Sequence, residues 1–398
     1  MLITGAGGFV GSYLTRYLLD HNACVFGLVR NQPETTKPGA GNVHDETGRM
    51  MCITGDIEDY QSLEQAINNS EPDYVFHLAA QSYVPRSFSD PLETARTNCI
   101  GTNNLLEAVR NSSGDPVVIF AGSSEEYGLV FSSTAQYNQL KEKYGSIFPE
   151  PDIPEIPIKE TNPLRPMSPY AVSKVFGDHL TRNYFHTYGV KTVVSRAFNH
   201  EGAGRGLMFV TAVITRQVAN LRKDKLSSIE IGNVNSFRDW SHVNDIVRGY
   251  AILAKRGRYG DVYNQGTMKT TSVLSYLLMS IEKAGYHISS IETFHGDKPV
   301  RGPQEPDDTP MFGIAFVKTK LDQIFLSGEL EYSLKDEGIR VCTDRGTIPV
   351  RFDTTRFRPS EVPILLADIR KIQEIGFSPE CTVEDIVRDQ LAYFTEFP

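Results

Sequence analysis

The glycine-rich turn near the first residue constrains the fold more than any other feature of the sequence. Residues Leu2–Leu14 read LITGAGGFVGSYL, in which Gly5, Gly8 and Gly11 join a short apolar run to an amphipathic pattern. Glycines at this spacing allow a tight turn and let a pyrophosphate approach the backbone at a helix N-terminus. A glycine triplet alone is common, but its place between a predicted strand and a predicted helix favours a dinucleotide-binding turn over a purely structural one.

Strands and helices alternate through the first half of the chain. Short apolar runs predict buried parallel strands, and amphipathic helical patterns lie between them. Such alternation is typical of a doubly wound parallel sheet, so we predict an α/β, Rossmann-like fold. The predicted strands are Leu2–Thr4, Ala23–Val29, Met50–Thr54, Tyr74–Ala80, Val117–Ala121, Thr192–Phe198 and Asp261–Gln265.

Two stretches interrupt this alternation. Leu129–Leu164 is rich in Pro, Glu and Ser and predicts a long excursion over the surface, after which a helix is predicted from Tyr170 to about Tyr188. The last third predicts a smaller C-terminal α+β domain, with a loop at His295–Thr309, a short helix and strands within Phe316–Ile348, and helices at Ile364–Ile375 and Val383–Phe394. We predict a cofactor-binding domain of residues 1–195 and 237–268 and a substrate-binding domain of residues 196–236 and 269–398.

Composition and charge narrow the class of protein. The chain of 398 residues is 40% hydrophobic and 22% charged, as is ordinary for a globular protein, and its formal net charge of −9 argues against a nucleic-acid partner. No apolar run reaches the roughly 18 residues that a membrane span needs. Because the first strand begins at once and the five scattered cysteines show no zinc spacing, we expect no targeting segment, no metal site and a cytoplasmic protein with reduced thiols.

The end of the second predicted strand indicates which dinucleotide binds. Val29 is followed by Arg30, where NAD enzymes usually place an acidic residue that accepts hydrogen bonds from the ribose. An arginine suits a 2′-phosphate, so we predict NADP rather than NAD, with a solvated surface arginine as the alternative. Asp56, after the third strand, is interpreted either as part of the adenine pocket or as a helix cap.

A second motif predicts catalysis. Tyr170 and Lys174 form YxxxK, and their i, i+4 spacing places the phenol and the ammonium on one helix face. Ser168 and Pro169 are typical helix-start residues, so Tyr170 is expected in the first turn. A neighbouring ammonium favours the phenolate form, which predicts a base for a hydroxyl proton.

The polar end of the fifth strand supplies further candidates. Residues 120–128 read FAGSSEEYG, at the edge of the sheet where open α/β folds bind ligands. Ser123 is suited to hydrogen-bond a reacting hydroxyl. The adjacent Glu125 and Glu126 allow two interpretations: one of them caps a helix or pairs with a base, or one of them removes a carbon-bound proton.

These motifs together resemble the extended short-chain dehydrogenases. Further segments narrow the resemblance to the GDP-mannose 4,6-dehydratases and their relatives, the GDP-4-keto-6-deoxymannose reductases. The resemblance runs from Leu2 to about Leu391. It is carried by AFNHE at Ala197–Glu201, FVT at Phe209–Thr211, GN at Gly232–Asn233, RDW at Arg238–Trp240 and FRPSEV at Phe357–Val362.

The resemblance implies a role for each matched catalytic position. Ser123 and Tyr170 would hold and deprotonate the sugar 4-hydroxyl, and Lys174 would orient the nicotinamide ribose. Glu125 matches the glutamate that removes the C5 proton in the dehydratases. The implied reaction is an internal redox dehydration of GDP-mannose or a related GDP-sugar, in which the C4 hydride passes through bound NADP to C6 as water leaves, giving a 4-keto-6-deoxy sugar.

Binding roles follow from the same resemblance. Asn199 and Arg238 would contact the nucleotide diphosphate, whereas Arg205 lies in a loop that in the dehydratases reaches a neighbouring subunit's cofactor. The alternative interpretations are a core aromatic at Trp240, a structural Arg238–Asp239 ion pair and a loop position for Arg358. The predicted substrate-binding residues are Ser124, Asn199, Val210, Arg238, Arg358 and Glu361. The predicted cofactor-binding residues are Gly5, Gly8, Phe9, Val10, Gly11, Arg30, Asp56, Ile57, Leu78, Ala79, Ala80, Tyr170, Lys174 and Arg205.

Other functions stay open at this stage. Ser123 stands where the dehydratases usually carry Thr, and Ala212 and Val213 follow FVT in place of basic residues, so an NADPH-dependent reductase is the first alternative. A nucleotide-sugar C4 epimerase is the second. A cofactor-binding sensor is disfavoured by the intact Ser123, Tyr170 and Lys174. The resemblance also implies a homodimer or homotetramer.

Overall fold

The computed structural model describes residues 1–30, 49–357 and 362–397. In this part of the chain no helix is both long enough and apolar enough to cross a bilayer, and no group of three or more His, Cys, Asp or Glu side chains is arranged to hold a metal ion. The strands in chain order are β1 Leu2–Thr4, β2 Phe26–Val29, β3 Met51–Thr54, β4 Tyr74–His77, β5 Val117–Ala121, β6 Thr192–Ala197, β7 Asn199–Glu201, β8 Ile229–Ile231, β9 Phe237–Arg238, β10 Trp240–His242, β11 Asp261–Gln265, β12 Thr271–Ser272, β13 Ile288–Thr293, β14 Val300–Arg301, β15 Pro306–Asp307, β16 Lys318–Thr319, β17 Gly338–Thr343 and β18 Gly346–Phe352.

The helices vary from a single turn to more than five turns. Short 3₁₀ segments occur at Ser124–Glu126, Leu334–Asp336 and Thr354–Arg356, and Arg96–Ile100 is a π-helical segment. The α-helices in chain order are α1 Phe9–Asp20, α2 Tyr60–Ser70, α3 Val84–Ser89, α4 Pro91–Ala95, α5 Gly101–Asn111, α6 Thr134–Tyr144, α7 Pro169–Tyr188, α8 Val210–Arg222, α9 Val243–Arg256, α10 Val273–Lys283, α11 Lys320–Leu326, α12 Arg370–Glu374 and α13 Val383–Glu396.

The chain forms two compact units. The first contains Met1–Phe198, Val243–Gln265 and Asp368–Glu380, and the second contains Asn199–His242, Gly266–Ala367 and Cys381–Pro398. The predicted second domain, residues 196–236 and 269–398, includes the segment Asp368–Glu380 around α12, which the structure groups with the first unit. Long-range contacts hold that segment in the first unit: Lys371 Nζ lies 2.6 Å from Asp261 Oδ1, and Arg248 donates to the carbonyl of Ser378.

The first unit is built on a parallel sheet of seven strands in the order β11-β6-β5-β4-β1-β2-β3. The strand order reverses at β1, which pairs with β2 on one side and β4 on the other. In open α/β sheets ligands bind at such a switch point, beyond the carboxyl ends of the strands. The predicted doubly wound sheet is confirmed, although β4 ends at His77, so the predicted strand residues Leu78–Ala80 lie beyond the end of the strand.

The helix that carries YxxxK begins and ends as its sequence predicts. The Ser168 side chain caps α7 by accepting from the amide of Ala171 at 3.1 Å, and Pro169 occupies the first turn. The helix ends at Gly189, whose φ of +76° is accessible to glycine with little strain. Tyr170 and Lys174 are therefore fixed at the start of a helix of 20 residues.

The prediction for Leu129–Leu164 is wrong in part, because this segment is not a surface excursion throughout. It contains α6, which Ser133 caps and none of whose residues is buried, so no apolar stripe marked it in the sequence. Phe131 and Ile158 are fully buried. Glu155 and Arg165 form an ion pair with two N–O distances of 2.9 Å, and both side chains are almost inaccessible to solvent.

The second unit contains a sheet of five strands in the order β14-β13-β17-β18-β8. Its apolar face forms a core with residues of α8, α10 and α13, including Leu277, Ile339 and Val341. The predicted helix at Val383–Phe394 is confirmed. The predicted helix at Ile364–Ile375 is wrong for its first half, because Ile364 and Leu365 bond with Phe237 as extended chain and helical structure begins only at α12.

Candidate active site

The glycine turn after β1 is crowded by the chain that follows β4. Gly5 has a φ of +73°, and a Cβ at this position would lie 2.9 Å from Cα and N of Ala79. A Cβ on Gly11 would lie 2.2 Å from the carbonyl oxygen of Gly5. Thr4 ties the two segments together by accepting from the amide of Ala79 at 3.2 Å. The turn therefore requires glycine at both positions, and it leaves bare backbone at the switch point of the sheet.

Other predicted cofactor residues of the first unit lie at the start of α1 and after the end of β4. Phe9 and Val10 open α1, and its N-cap is Gly8, so no capping side chain occupies the N-terminus of this helix, the end that favours an anion. Leu78 and Ala80 flank Ala79 beyond the end of β4.

Arg30, Asp56 and Ile57 follow the two neighbouring strands. Arg30 comes directly after β2, is exposed and makes no ion pair within the described residues. Asp56 is not a helix cap: its carboxylate accepts from the amide of Glu58 at 3.0 Å, whereas Asp59 caps α2. Ile57 is buried in the core beside α5.

Lys174 connects the YxxxK helix to the end of β5. Its ammonium donates to the carbonyl of Ala121 at 2.7 Å and lies 5.9 Å from the centre of the Tyr170 ring. Both side chains are buried. Burial lowers the pKa of Lys174 to about 8, because the charged form loses its hydration. The bond to Ala121 places the start of α7 beside the strand end that leads to Ser123.

The two adjacent glutamates have separate environments. Ser123 and Glu126 form a capping box around the 3₁₀ turn: the Ser123 hydroxyl accepts from the amide of Glu125 at 3.2 Å, and Glu126 accepts from the amide of Ser123 at 2.7 Å. Glu126 is fully buried, whereas Glu125 is half-buried. Ser124 is buried as well. The capping interpretation is therefore confirmed for Glu126, and Glu125 stays the candidate base.

A buried ion cluster surrounds Glu126. Arg196 on β6 donates to Glu126 at 3.1 Å and to Asp178 on α7 at 2.9 Å. Burial and the neighbouring Asp178 raise the pKa of Glu126, so this carboxyl is poorly suited to act as a charged base. Sequence reasoning missed this cluster, because its members are separated by 18 to 70 positions along the chain.

A second set of contacts behind Tyr170 was also missed. Asn98 lies in the π-helical segment and exchanges hydrogen bonds with the backbone of Gln81. Its amide donates to the Ser173 hydroxyl at 2.8 Å, and Ser173 donates to the carbonyl of Tyr170 at 2.7 Å. Asn98 thereby links the first turn of α7 to Gln81, two positions after Ala79. The local π-helical geometry gave no sequence signal.

The remaining predicted residues belong to the second unit. Asn199 lies on β7, and its side-chain oxygen is buried without a hydrogen-bond partner among the described residues. Val210 is the first residue of α8 and is partly exposed. The Arg205 guanidinium lies 3.4 Å from the centre of the Phe209 ring and 3.2 Å from the carboxylate of Glu201.

The RDW segment is buried within the second unit. Arg238 donates from one nitrogen to the carbonyls of Phe237 and Val362, both at 2.8 Å. Asp239 accepts instead from the amides of the Thr267 turn, so the structure shows no Arg238–Asp239 ion pair within the described residues. Trp240 is a core aromatic that packs edge-on against another ring. Arg358 and Glu361 lie outside the described residues.

Solved structures share the fold of the chain. RMD from Pseudomonas aeruginosa complexed with NADPH has a TM-score of 0.68 and 22% sequence identity, with 100% of this chain and 99% of that chain covered. UDP-glucose 4-epimerase of Thermus thermophilus in complex with NAD has a TM-score of 0.67, also at 22% identity, with 99% and 98% covered. At this identity the comparison establishes a shared architecture.

Sequence relatives establish the family. A GDP-mannose 4,6-dehydratase of Yersinia enterocolitica is 32% identical over 98% of this chain and 92% of its own length. A GDP-mannose 4,6-dehydratase of Vibrio cholerae is 31% identical, again over 98% and 92%. The profile of the family described as GDP-mannose 4,6 dehydratase matches residues 2–307. The predicted resemblance is confirmed: this chain belongs to the GDP-mannose 4,6-dehydratase family, within the extended short-chain dehydrogenases.

Proposed function

We propose that this protein is an NADP-dependent nucleotide-sugar 4,6-dehydratase that converts GDP-mannose to the 4-keto-6-deoxy sugar. The observation that carries the proposal is the separation of Glu125 from Glu126. Because Glu126 is buried in the capping box and the ion cluster, Glu125 is the carboxylate left beside Ser123 on the catalytic turn. A dehydratase needs such a carbon base, whereas a ketoreductase does not.

The residues of the first unit fit a bound dinucleotide. Gly5 and Gly11 form a cradle that any side chain would fill, and the first amides of α1 offer hydrogen bonds to phosphate oxygens. The exposed guanidinium of Arg30 is suited to a 2′-phosphate, which favours NADP. These residues would hold the cofactor, which would supply a hydride acceptor and donor for the reaction at C4 and C6 of the sugar.

The catalytic residues divide the proton transfers between them. Ser123 hydrogen-bonds the 4-hydroxyl, and Tyr170 takes its proton. Lys174 keeps its positive charge near the phenol and is held in place by the Ala121 carbonyl. Once C4 is a ketone the C5 proton is acidic, and Glu125 removes it and passes it to the C6 hydroxyl, which leaves as water.

We assign substrate recognition to residues of the second unit and to Ser124. The buried side-chain oxygen of Asn199 has no hydrogen-bond partner in the described part of the chain, which supports a ligand contact there, because such an atom is costly to leave unpaired. Arg238 is proposed to contact the diphosphate, and Val210 is proposed as a further substrate-binding residue. By resemblance, Arg358 and Glu361 complete the set.

A ketoreductase is the second candidate. The observation that favours it is the start of α8, where Ala212, which is fully buried, and the uncharged Val213 stand in place of basic residues. Such an enzyme would consume one NADPH for each GDP-4-keto-6-deoxymannose that it reduces.

Cofactor balance distinguishes these two functions. Purified protein is incubated with GDP-mannose and a small fraction of an equivalent of NADP⁺, and the nucleotide sugar is followed by mass spectrometry. We expect complete conversion to a product that has lost one water, without net NADPH. No conversion of GDP-mannose, together with stoichiometric NADPH oxidation in the presence of the 4-keto sugar, would establish the reductase instead.

The oligomer is proposed to be a homodimer that pairs through α7. Val172 and Phe176 lie one turn apart on this helix and are 54% and 43% exposed, and Ile100 beside it is 52% exposed. Apolar side chains grouped on one face are typical of a buried interface. Sedimentation should show a dimer that Phe176→Glu dissociates, and a monomeric wild type would contradict the proposal.

A further inference from the structure

Arg196 contacts the two elements of the first unit that carry the proposed catalytic residues. Its Nε lies 3.1 Å from Glu126 Oε2 and 2.9 Å from Asp178 Oδ2, and all three side chains are buried. A second guanidinium nitrogen donates toward the hydroxyl of Tyr127 and the carbonyl of Glu160, each at 3.1 Å. One buried guanidinium thus bridges two carboxylates and two further oxygens.

Each carboxylate is attached to a proposed catalytic element. Glu126 belongs to the 3₁₀ turn and accepts from the amide of Ser123 through its other oxygen, at 2.7 Å. Asp178 follows Lys174 by four positions on α7, so it lies one turn further along the same helix face. Asp178 also accepts a hydrogen bond from Arg182, so each of its two carboxylate oxygens is held by a guanidinium.

We propose that Glu126, Arg196 and Asp178 form a clamp that positions the turn bearing Ser123 and Glu125 against the helix bearing Tyr170 and Lys174. These three are positioning residues, since they act through the residues that they hold. The inference rests on the proposed function for the roles of the residues it positions. The contacts by which the Arg196 guanidinium holds the 3₁₀ turn to α7 do not depend on which substrate binds.

A buried ion cluster adds little net stability, so its main contribution here is to fix the relative position of the turn and the helix. Moving two carboxylates and one guanidinium out of water costs several kcal/mol per ion, and their mutual attraction returns a similar amount. Replacing such a cluster with apolar side chains is often neutral or stabilising. A displacement of about 1 Å at reacting groups lowers a rate by about 10²-fold. The clamp limits such displacements between the 3₁₀ turn that bears Glu125 and the helix α7 that bears Tyr170.

The Glu155–Arg165 pair provides a matched control. Its side chains are as deeply buried as those of the clamp and its two N–O distances are 2.9 Å, but it lies within the segment that follows the catalytic turn. Glu155→Gln therefore removes a comparable charge without touching Glu126, Arg196 or Asp178. Glu126→Gln and Asp178→Asn each remove one arm of the clamp with little change in shape.

Two measurements on the full-length protein test the clamp. The first is kcat and KM for GDP-mannose at a temperature where thermal unfolding shows every variant to be folded. We expect kcat to fall about 10- to 100-fold in Glu126→Gln and in Asp178→Asn with KM changed less than about threefold, as for lost transition-state geometry. Glu155→Gln should lower the melting temperature but keep kcat within about twofold of wild type.

The second measurement is amide hydrogen exchange in the peptide that covers residues 117–127. Exchange should accelerate in the two clamp variants and stay at the wild-type rate in Glu155→Gln. Unchanged exchange in the clamp variants, or a kcat as high as that of Glu155→Gln, would overturn the proposal. If the wild type does not turn over GDP-mannose, the proposed function fails and exchange alone decides the clamp. If one clamp variant does not fold, the other decides it.

Discussion

The ammonium of Lys174 lies 2.7 Å from the carbonyl oxygen of Ala121, and this bond joins the YxxxK helix to the strand that leads into Ser123. Lys174 makes no ion pair with a carboxylate in the described part of the chain, so its charge is not neutralised by a direct partner. The catalytic roles proposed above depend on this arrangement, because it keeps a positive charge beside the Tyr170 ring.

Replacing Tyr170 with Phe removes the proposed base for the 4-hydroxyl. We expect turnover of GDP-mannose to fall by about 10²- to 10⁴-fold, the usual contribution of a general base, with the fold intact. Tyr184→Phe is the matched control, since Tyr184 lies on the same helix and its hydroxyl bonds Glu107 on α5. A Tyr170→Phe variant as active as Tyr184→Phe would remove Tyr170 from the mechanism.

Glu125→Gln should separate the first redox step from the elimination. The amide cannot take the C5 proton, so we expect product formation to fall about 10²- to 10⁴-fold while oxidation at C4 still occurs. Rapid mixing should then show reduced nicotinamide that persists on the enzyme. Glu142→Gln, at an exposed position of α6, is the control. An unchanged rate in Glu125→Gln would favour the reductase.

Lys174→Met should make stability depend less on pH. In the folded protein the pKa of Lys174 is about 8, compared with 10.5 as its ordinary value, so below pH 8 the fold carries the cost of a buried charge. That cost, about 3 kcal/mol from the difference in pKa, disappears as the pH rises from 8 to 10.5 and the folded protein loses the proton.

The free energy of unfolding of Lys174→Met should therefore exceed that of the wild type at neutral pH, and the difference should shrink on the alkaline side. Denaturant titrations of both proteins across this range measure the difference. A difference that is independent of pH would show that Lys174 titrates normally in the fold.

Gly5→Ala should weaken cofactor binding beyond what its backbone conformation explains. An alanine at a φ of +73° costs about 1–2 kcal/mol, and here its Cβ would also meet Ala79 at 2.9 Å and displace the turn. Gly145→Ala also places an alanine in a disfavoured backbone conformation, with φ +78° and ψ −148°, but nothing in the described part of the chain lies within 4 Å of its Cβ. We expect the Kd for NADP⁺ to rise at least about tenfold in Gly5→Ala and to stay unchanged in Gly145→Ala, by calorimetric titration.

Local patterns predicted the parts of the molecule that local forces determine. The turn at Gly5 and the start of α7 at Ser168 have signals within a few residues, and the structure confirms both elements. Helix α6 had no such signal, because none of its residues is buried and an exposed helix needs no apolar stripe. Asp56 and Asp59 were equally plausible caps of α2, and only the geometry identifies Asp59.

The candidate site required contacts over long sequence separations. Glu125 and Glu126 are indistinguishable in the sequence, and the structure identifies Glu126 as the one that pairs with Arg196, which also pairs with Asp178. The environment of Lys174 likewise depends on Ala121, 53 positions earlier in the chain. The residue types were therefore predictable from motifs, whereas the division of roles between neighbours was not.

The reaction of wild-type protein with GDP-mannose and catalytic NADP⁺ in deuterated water tests the proposed dehydration at the reacting carbons. NMR and mass spectrometry of the product locate the solvent-derived deuterium. An internal dehydration with Glu125 as the carbon base predicts a 4-keto-6-deoxy sugar with deuterium at C5, and with the hydrogen that was on C4 now at C6. Unconverted GDP-mannose, or a product without deuterium at C5, would show that the enzyme does not catalyse this dehydration.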